Sequence, residues 1–241
     1  MKKVISLLSV VLFTTVVFAQ KIINDPNAEK RNISGFHAVE VSGGIDLYLS
    51  QGDEAVAVSA VETKYRDKIT TKVVDGVLKI YYEKEDKHLN IDFTWRSRKL
   101  KAYVSAKTLD GLNASGGSDI EIEGTFKSDK INLDVSGGSD FQGKLVATNF
   151  NAQASGGSDI VISGSAISLT IDVSGGSDFK GADFIAENCN AKANGGSDVS
   201  VTVNKELSVD ASGGSDVRYR GTGLIREIKN SGGGSVKKIS K

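Results

Sequence analysis

The chain has 241 residues, with 30 Lys and Arg against 30 Asp and Glu, so its net charge is zero at neutral pH. No basic excess exists to displace counterions from a phosphate backbone, which excludes nucleic acid as the expected partner. One Pro and 27 Gly do not make a disordered composition here, because the glycines recur at fixed offsets.

Residues 1–19 read as a secretory signal peptide: Lys2 and Lys3, an apolar run from Val4 to Val17, then the small-residue site Val17-Phe18-Ala19. The apolar run is about 14 residues, short of the roughly 20 that a membrane-spanning helix needs. No later segment is apolar enough to span as a helix, so export to the periplasm, the outer-membrane surface or the medium is expected. Removing residues 1–19 takes two lysines, leaving 28 bases against 30 acids. Cys189 is the only cysteine, so no internal disulfide can form.

Residues 20–34 read as a polar, irregular leader, and residues 35–111 as an N-terminal β portion. Within that portion Ile45, Leu47 and Leu49 alternate with Asp46, Tyr48 and Ser50. Gln51-Gly52-Asp53 is a turn, Ala55 to Val61 alternates again, and Thr63 to Lys68 suits one helical turn. Ile69 to Val74 and Val77 to Tyr82 flank Asp75-Gly76, which predicts a hairpin with a type I′ turn. Residues 83–98 are charged and read as a long loop or ragged hairpin. Trp95, Phe93, Tyr81 and Tyr82 read as a cap over the open end of a repeat array rather than an exposed ligand patch.

From residue 112 to 235 a repeat takes over. Ser115-Gly-Gly-Ser-Asp119 recurs at Ser136, Ser155, Ser174, Asn194 and Ser212, with a degenerate copy at Ser231. The spacings are 21, 19, 19, 20, 18 and 19 residues. At about 3.3 Å per residue, 20 residues trace one turn of a β-solenoid whose successive turns pair in parallel about 4.8 Å apart. Parity places Ile131, Leu133, Val135, Gly137, Ser139 and Phe141 on the inward face, with equivalents in every copy. Cys189 falls in the same inward column as Ile131, Phe150, Leu169 and Leu207, and so reads as a small buried hydrophobe. The outward column two residues before each motif, Asn113, Asp134, Gln153, Asp172, Lys192, Asp210 and Lys229, never stacks acid on acid. Residues 236–241 form a small basic tail, read as a solvated end. The expected fold is therefore all-β, a right-handed parallel β-helix.

Stacking aligns Asp119, Asp140, Asp159, Asp178, Asp198 and Asp216, and neighbouring carboxylates about 5 Å apart repel by about 0.8 kcal/mol even in water. Local hydrogen bonds to backbone amides of the bend would offset this, as would a divalent cation. These six aspartates are the weak candidates for Ca²⁺, by analogy with Gly-Gly-x-Gly-x-Asp nonapeptides. One Asp and one Ser per turn fall short of the six to eight oxygens Ca²⁺ takes, so the reading commits to no metal and no cofactor. His37 and His88 lie in the irregular first part, and the repeats carry no long loop on which a catalytic site is usually built. No catalytic residue is singled out.

With these residues laid out, the chain resembles a bacterial family of auto-transporter adhesins, the head GIN domain. The resemblance rests on Phe36 to Gly52 with its Gly44-Ile45-Asp46, on Asp75 to Ile80, on Leu100 to Ser105 and on the Ser-Gly-Gly-Ser-Asp series. It implies a parallel β-helix outside the cytoplasm and supplies no catalytic residues. The function expected is a non-enzymatic adhesion or scaffolding module at the cell envelope, with a glycan or an envelope or extracellular protein as partner. A Ca²⁺- or glycan-binding module is the alternative, and a carbohydrate-active enzyme the third reading.

Overall fold

A computed structural model describes residues 25–83 and 95–240, apart from the Trp95 and Arg96 side chains. The signal-peptide reading, His88, Phe93 and the Trp95 part of the expected cap lie outside the described residues. In chain order the strands are β1 Glu29–Arg31, β2 Ala38–Ser42, β3 Asp46–Gln51, β4 Ala55–Ser59, β5 Ile69–Val74, β6 Val77–Tyr82 and β7 Lys101–Ala106. The repeats follow as β8 Gly111–Ser115, β9 Ile120–Glu123, β10 Phe126–Ser136, β11 Phe141–Ser155, β12 Asp159–Val173, β13 Asp178–Ala193 and β14 Asp198–Ala211. β15 Asp216–Arg220, β16 Leu224–Asn230 and β17 Ser235–Lys238 complete the chain. One helical turn, α1 Thr63–Arg66, falls where the polar run at 63–68 predicts it.

All of the repeat strands pair in parallel, rung on rung. On the face before each motif, β2, β8, β10, β11, β12, β13, β14 and β16 stack in that order. On the face after it, β3, β9, β11, β12, β13, β14, β15 and β17 do the same. The register is that of the motif: Leu133 sits opposite Leu112 and Ala152, and Ile171 opposite Ala152 and Ala191. Equal residues meet because each rung places the same offset at the same point of the turn. Leu133, Ile171 and Val209 are all but inaccessible, as are Phe126, Phe141, Phe150, Phe179 and Phe184. Burying each such side chain contributes about 1.5–3 kcal/mol.

The stack reaches back past the repeats. Ser42-Gly43-Gly44-Ile45 occupies the same corner, since β2 pairs with β8 through Ser42 opposite Ser115, and β3 with β9 through Leu47 opposite Ile120. Below this rung the direction changes. β6 pairs parallel to β2, and β5 then closes that face as an antiparallel hairpin through Asp75 (φ 52°) and Gly76 (φ 75°), the two left-handed positions of a type I′ turn. β7 closes the other face, followed by antiparallel β4 and β1. The leader expected to be irregular thus supplies a strand, because the exposed edge of β4 needs a partner. Tyr82 packs on the core with the Arg98 guanidinium 5.1 Å from its ring centre, so part of the expected cap lies here. The residues from 236 onward also depart from a free tail: Val236, Lys237 and Lys238 pair with β15.

One inward assignment is corrected. Gly137 and its equivalents leave the strand alternation; Gly137 and Gly138 have φ of 66° and 73°, and both are exposed. Two consecutive left-handed residues turn the chain outward, and only glycine adopts that pair without strain. The serine that follows drops back inward as the strand resumes.

Candidate binding face

Each corner carries two polar ladders, one inside and one outside. The inner ladder is made of Ser118, Ser139, Ser158, Ser177, Ser197 and Ser215, all fully buried. The N–H of Ser118 donates to Ser139 Oγ at 3.0 Å, that of Ser139 to Ser158 Oγ at 3.2 Å, and that of Ser158 to Ser177 Oγ at 3.0 Å. Ser118 Oγ in turn accepts from Gly44 and Ile45. In these rungs the hydroxyl satisfies donors that the glycine turn removes from the sheet, while the Ser197 hydroxyl donates to the Asn194 carbonyl and that of Ser215 to the Ala193 and Ser212 carbonyls, so this buried polar column is structural.

The outer ladder is the aspartate column, and the stack does align it. Asp119 Oδ1 accepts the Asp140 N–H at 2.9 Å, Asp140 Oδ1 the Asp159 N–H at 3.0 Å, and Asp178 Oδ1 the Asp198 N–H at 3.1 Å. The amides come from the next rung rather than from the aspartate's own bend, where the sequence reading places them. Two cations add to it from the position two residues beyond the motif. Lys180 Nζ lies 2.5 Å from Asp159 and 3.3 Å from Asp178, and Arg218 bridges Asp198 and Asp216 at 3.1 and 2.9 Å. The sequence signal for them was that offset column, which reads Glu121, Gln142, Val161, Lys180, Ser200 and Arg218.

Relief is uneven along the column. Burial raises the carboxyls of Asp46 and Asp119 above the ordinary value, and the charge of the next aspartate adds to it. Asp216 is shifted the other way, by the Ser235 hydroxyl and then by Arg218 and Lys237. Among the described residues no three His, Cys, Asp or Glu side chains form a group able to hold a metal ion.

The outward charge column before the motif is as the sequence spaces it. Asp134 stands between Asn113 and Gln153, and Asp172 between Gln153 and Lys192. Beside it runs a second outward column that parity alone leaves unremarked: Asn132, Asn151, Thr170, Asn190 and Ser208 in register. Asn151 Nδ2 donates to Asn132 Oδ1 at 2.8 Å. Between the two columns runs a shallow groove of about 430 Å³, bordered by Asn132, Asp134, Asn151, Gln153, Thr170 and Asp172. Amides, a hydroxyl and carboxylates at one set per rung make a flat surface of paired donors and acceptors. It can bind a polar partner through several weak hydrogen bonds at once.

Among the described residues, features that would suggest covalent chemistry do not converge. Cys189 is buried and its thiol is pushed up to about 12 by burial, so it is not a reactive thiolate. His37 Nδ1 meets Asp110 Oδ1 at 2.8 Å on the open surface, and this hydrogen bond raises the imidazole. No helix among the described residues is long and apolar enough to cross a membrane.

Solved structures share this fold. A "putative adhesin" from Bacteroides fragilis superposes with a TM-score of 0.79 at 19% identity, over 88% of this chain and 96% of its own. A "putative adhesin" from Parabacteroides merdae gives 0.68 at 17% identity over 88% and 95%. A "putative lipid binding protein" from Parabacteroides distasonis gives 0.58 at 19% identity over 90% and 98%. No curated protein matches the sequence. Residues 35–223, which run from just before β2 through the stacked motifs to Gly223, match the family model described as "Putative auto-transporter adhesin, head GIN domain", and the chain belongs to that family.

Proposed function

We propose that the protein is an exported, non-enzymatic β-solenoid that acts as an adhesion or scaffolding module at the cell envelope. Its binding face is the pair of outward columns headed by Asn132 and Asp134. The observation that carries this reading is the register itself. The rungs repeat Asn132, Asn151, Thr170, Asn190 and Ser208 beside Asp134, Gln153, Asp172, Lys192 and Asp210. A rigid ladder pre-organises many weak contacts, and pre-organisation is what lets a flat polar surface bind. The family name and the signal-like first 19 residues agree with a site of action outside the cytoplasm.

The partner is a glycan or an envelope or extracellular protein, and a panel of immobilised glycans and matrix proteins tests the reading. Binding should be weakened by Asn151→Lys with Gln153→Lys, which fill the groove. It should be indifferent to Gln142→Lys on the other face. No binding to any member of the panel, or binding unaffected by the groove pair, would count against it.

A Ca²⁺-assisted form of the same module is the second reading, favoured by the alignment of Asp119 and Asp140 on adjacent rungs where Glu121 and Gln142, rather than Lys or Arg, stand two residues beyond the motif. Calorimetric titration with Ca²⁺ decides it. Absence of heat together with an unchanged melting temperature would remove the metal.

A further inference from the structure

The two ends of the solenoid are built differently. The N-terminal end is closed by antiparallel strands, and Ile69, Val56 and Val58 beneath them are buried. The last rung, β16 and β17, has no such cover among the described residues. Ile225 stands over Leu207 and Ile228 over Val209, so both continue core columns that are closed in every earlier rung. Yet Ile225 is 46% and Ile228 43% exposed, and Leu224 beside them is 67% exposed. A bulge between Leu207 and Ser208 makes this possible. It absorbs one extra residue of β16, so two isoleucines three apart both lie over the core.

We propose that this end is an interface with a second copy of the chain, formed by antiparallel pairing of β16 with itself about a two-fold axis between Arg226 and Glu227. In that register Ile225 faces Ile228 of the second copy, twice, and Arg226 faces Glu227, twice. The core columns of the two copies then meet, and the edge of β16 that pairs with no strand among the described residues is satisfied. The charges select the register. A slip of one residue either way puts Arg226 opposite Arg226 or Glu227 opposite Glu227. In the single chain these charges are held only by exposed partners, Arg226 by Glu206 and Glu227 by Lys229, which are free to exchange. Head-to-tail stacking is disfavoured because the N-terminal end offers antiparallel strands over a core that is already covered. The inference stands apart from the proposed binding face, although a dimer would double the length of that ladder.

Sedimentation of the purified protein over a concentration series tests it. The expected result is a reversible dimer. Arg226→Glu should weaken association about tenfold or more, because like charges then meet twice, and adding Glu227→Arg should restore it. Ile228→Asp should give a monomer whose circular dichroism is unchanged. The charge-swapped pair keeps the test informative if the Ile228 variant fails to fold. A monomer into the high-micromolar range, a dimer indifferent to Arg226→Glu, or a loss that the double variant does not reverse overturns the proposal. Capture of an added peptide strand at this edge in place of a second copy would also do so.

Discussion

Ser177 accepts two backbone N–H groups, from Gly157 at 3.2 Å and Ser158 at 3.0 Å, in a site with no water access. Ser177→Ala removes the acceptor and leaves both donors unsatisfied, so denaturant unfolding should show a loss of about 1–3 kcal/mol. The aspartate column makes a pH-dependent counterpart. Asp119 has its carboxyl raised chiefly by burial, so the folded state holds its proton to higher pH than the unfolded state does. Its contribution to stability therefore falls as pH rises through the window above 3.8, and Asp119→Asn should leave the melting temperature at neutral pH unchanged or higher. Asp216 is lowered by Ser235, so its contribution is present above the unfolded value and lost as pH falls through the folded one. Asp216→Asn should lower the neutral-pH melting temperature and flatten the acid limb of the curve. Equal shifts for the two variants would mean that the column is not differentiated as the structure shows.

The strands succeed as elements because each rung returns to the register of the one before it, and single glycines show how closely the rungs approach. Gly164 has φ of 121°, and a Cβ there would lie 1.9 Å from the Leu145 carbonyl oxygen of the rung below. Gly157 has φ of 77°, but a Cβ there would meet open space. Gly157→Ala should therefore cost only the left-handed backbone term, about 1–2 kcal/mol, while Gly164→Ala should cost clearly more, since backbone must shift. Comparing the two unfolding midpoints checks this. The Ser-Gly-Gly-Ser-Asp series made this part of the molecule legible from sequence, because period, parity and register are one fact written six times. Parity failed at Gly137 because the glycine pair steps out of the strand. The antiparallel strands β4 and β1 were not legible as a cap, since alternation shows that a segment is a strand but not its direction. The Asn132 column was passed over because polar outward residues carry no signal until stacking aligns them.

At the scale of the whole molecule, the described residues close one end with antiparallel strands, leave Ile225 and Ile228 exposed on the last described rung, and run a polar ladder between. All functional readings require the rungs to be parallel and in register, for only then do Asn132, Asn151, Thr170, Asn190 and Ser208 form one line. Likeness to the solved structures shows the fold, whereas the proposed binding face rests on that line of side chains. The most direct measurement is a set of distances between spin labels placed on Asn132 and, in turn, on Thr170, Asn190 and Ser208. With strands about 4.8 Å apart, backbone separations should climb in near-equal steps to about 19 Å across the four rungs from Asn132 to Ser208. Separations that do not grow with rung number, or that jump between neighbouring copies of the motif, would contradict the stack and every surface built on it.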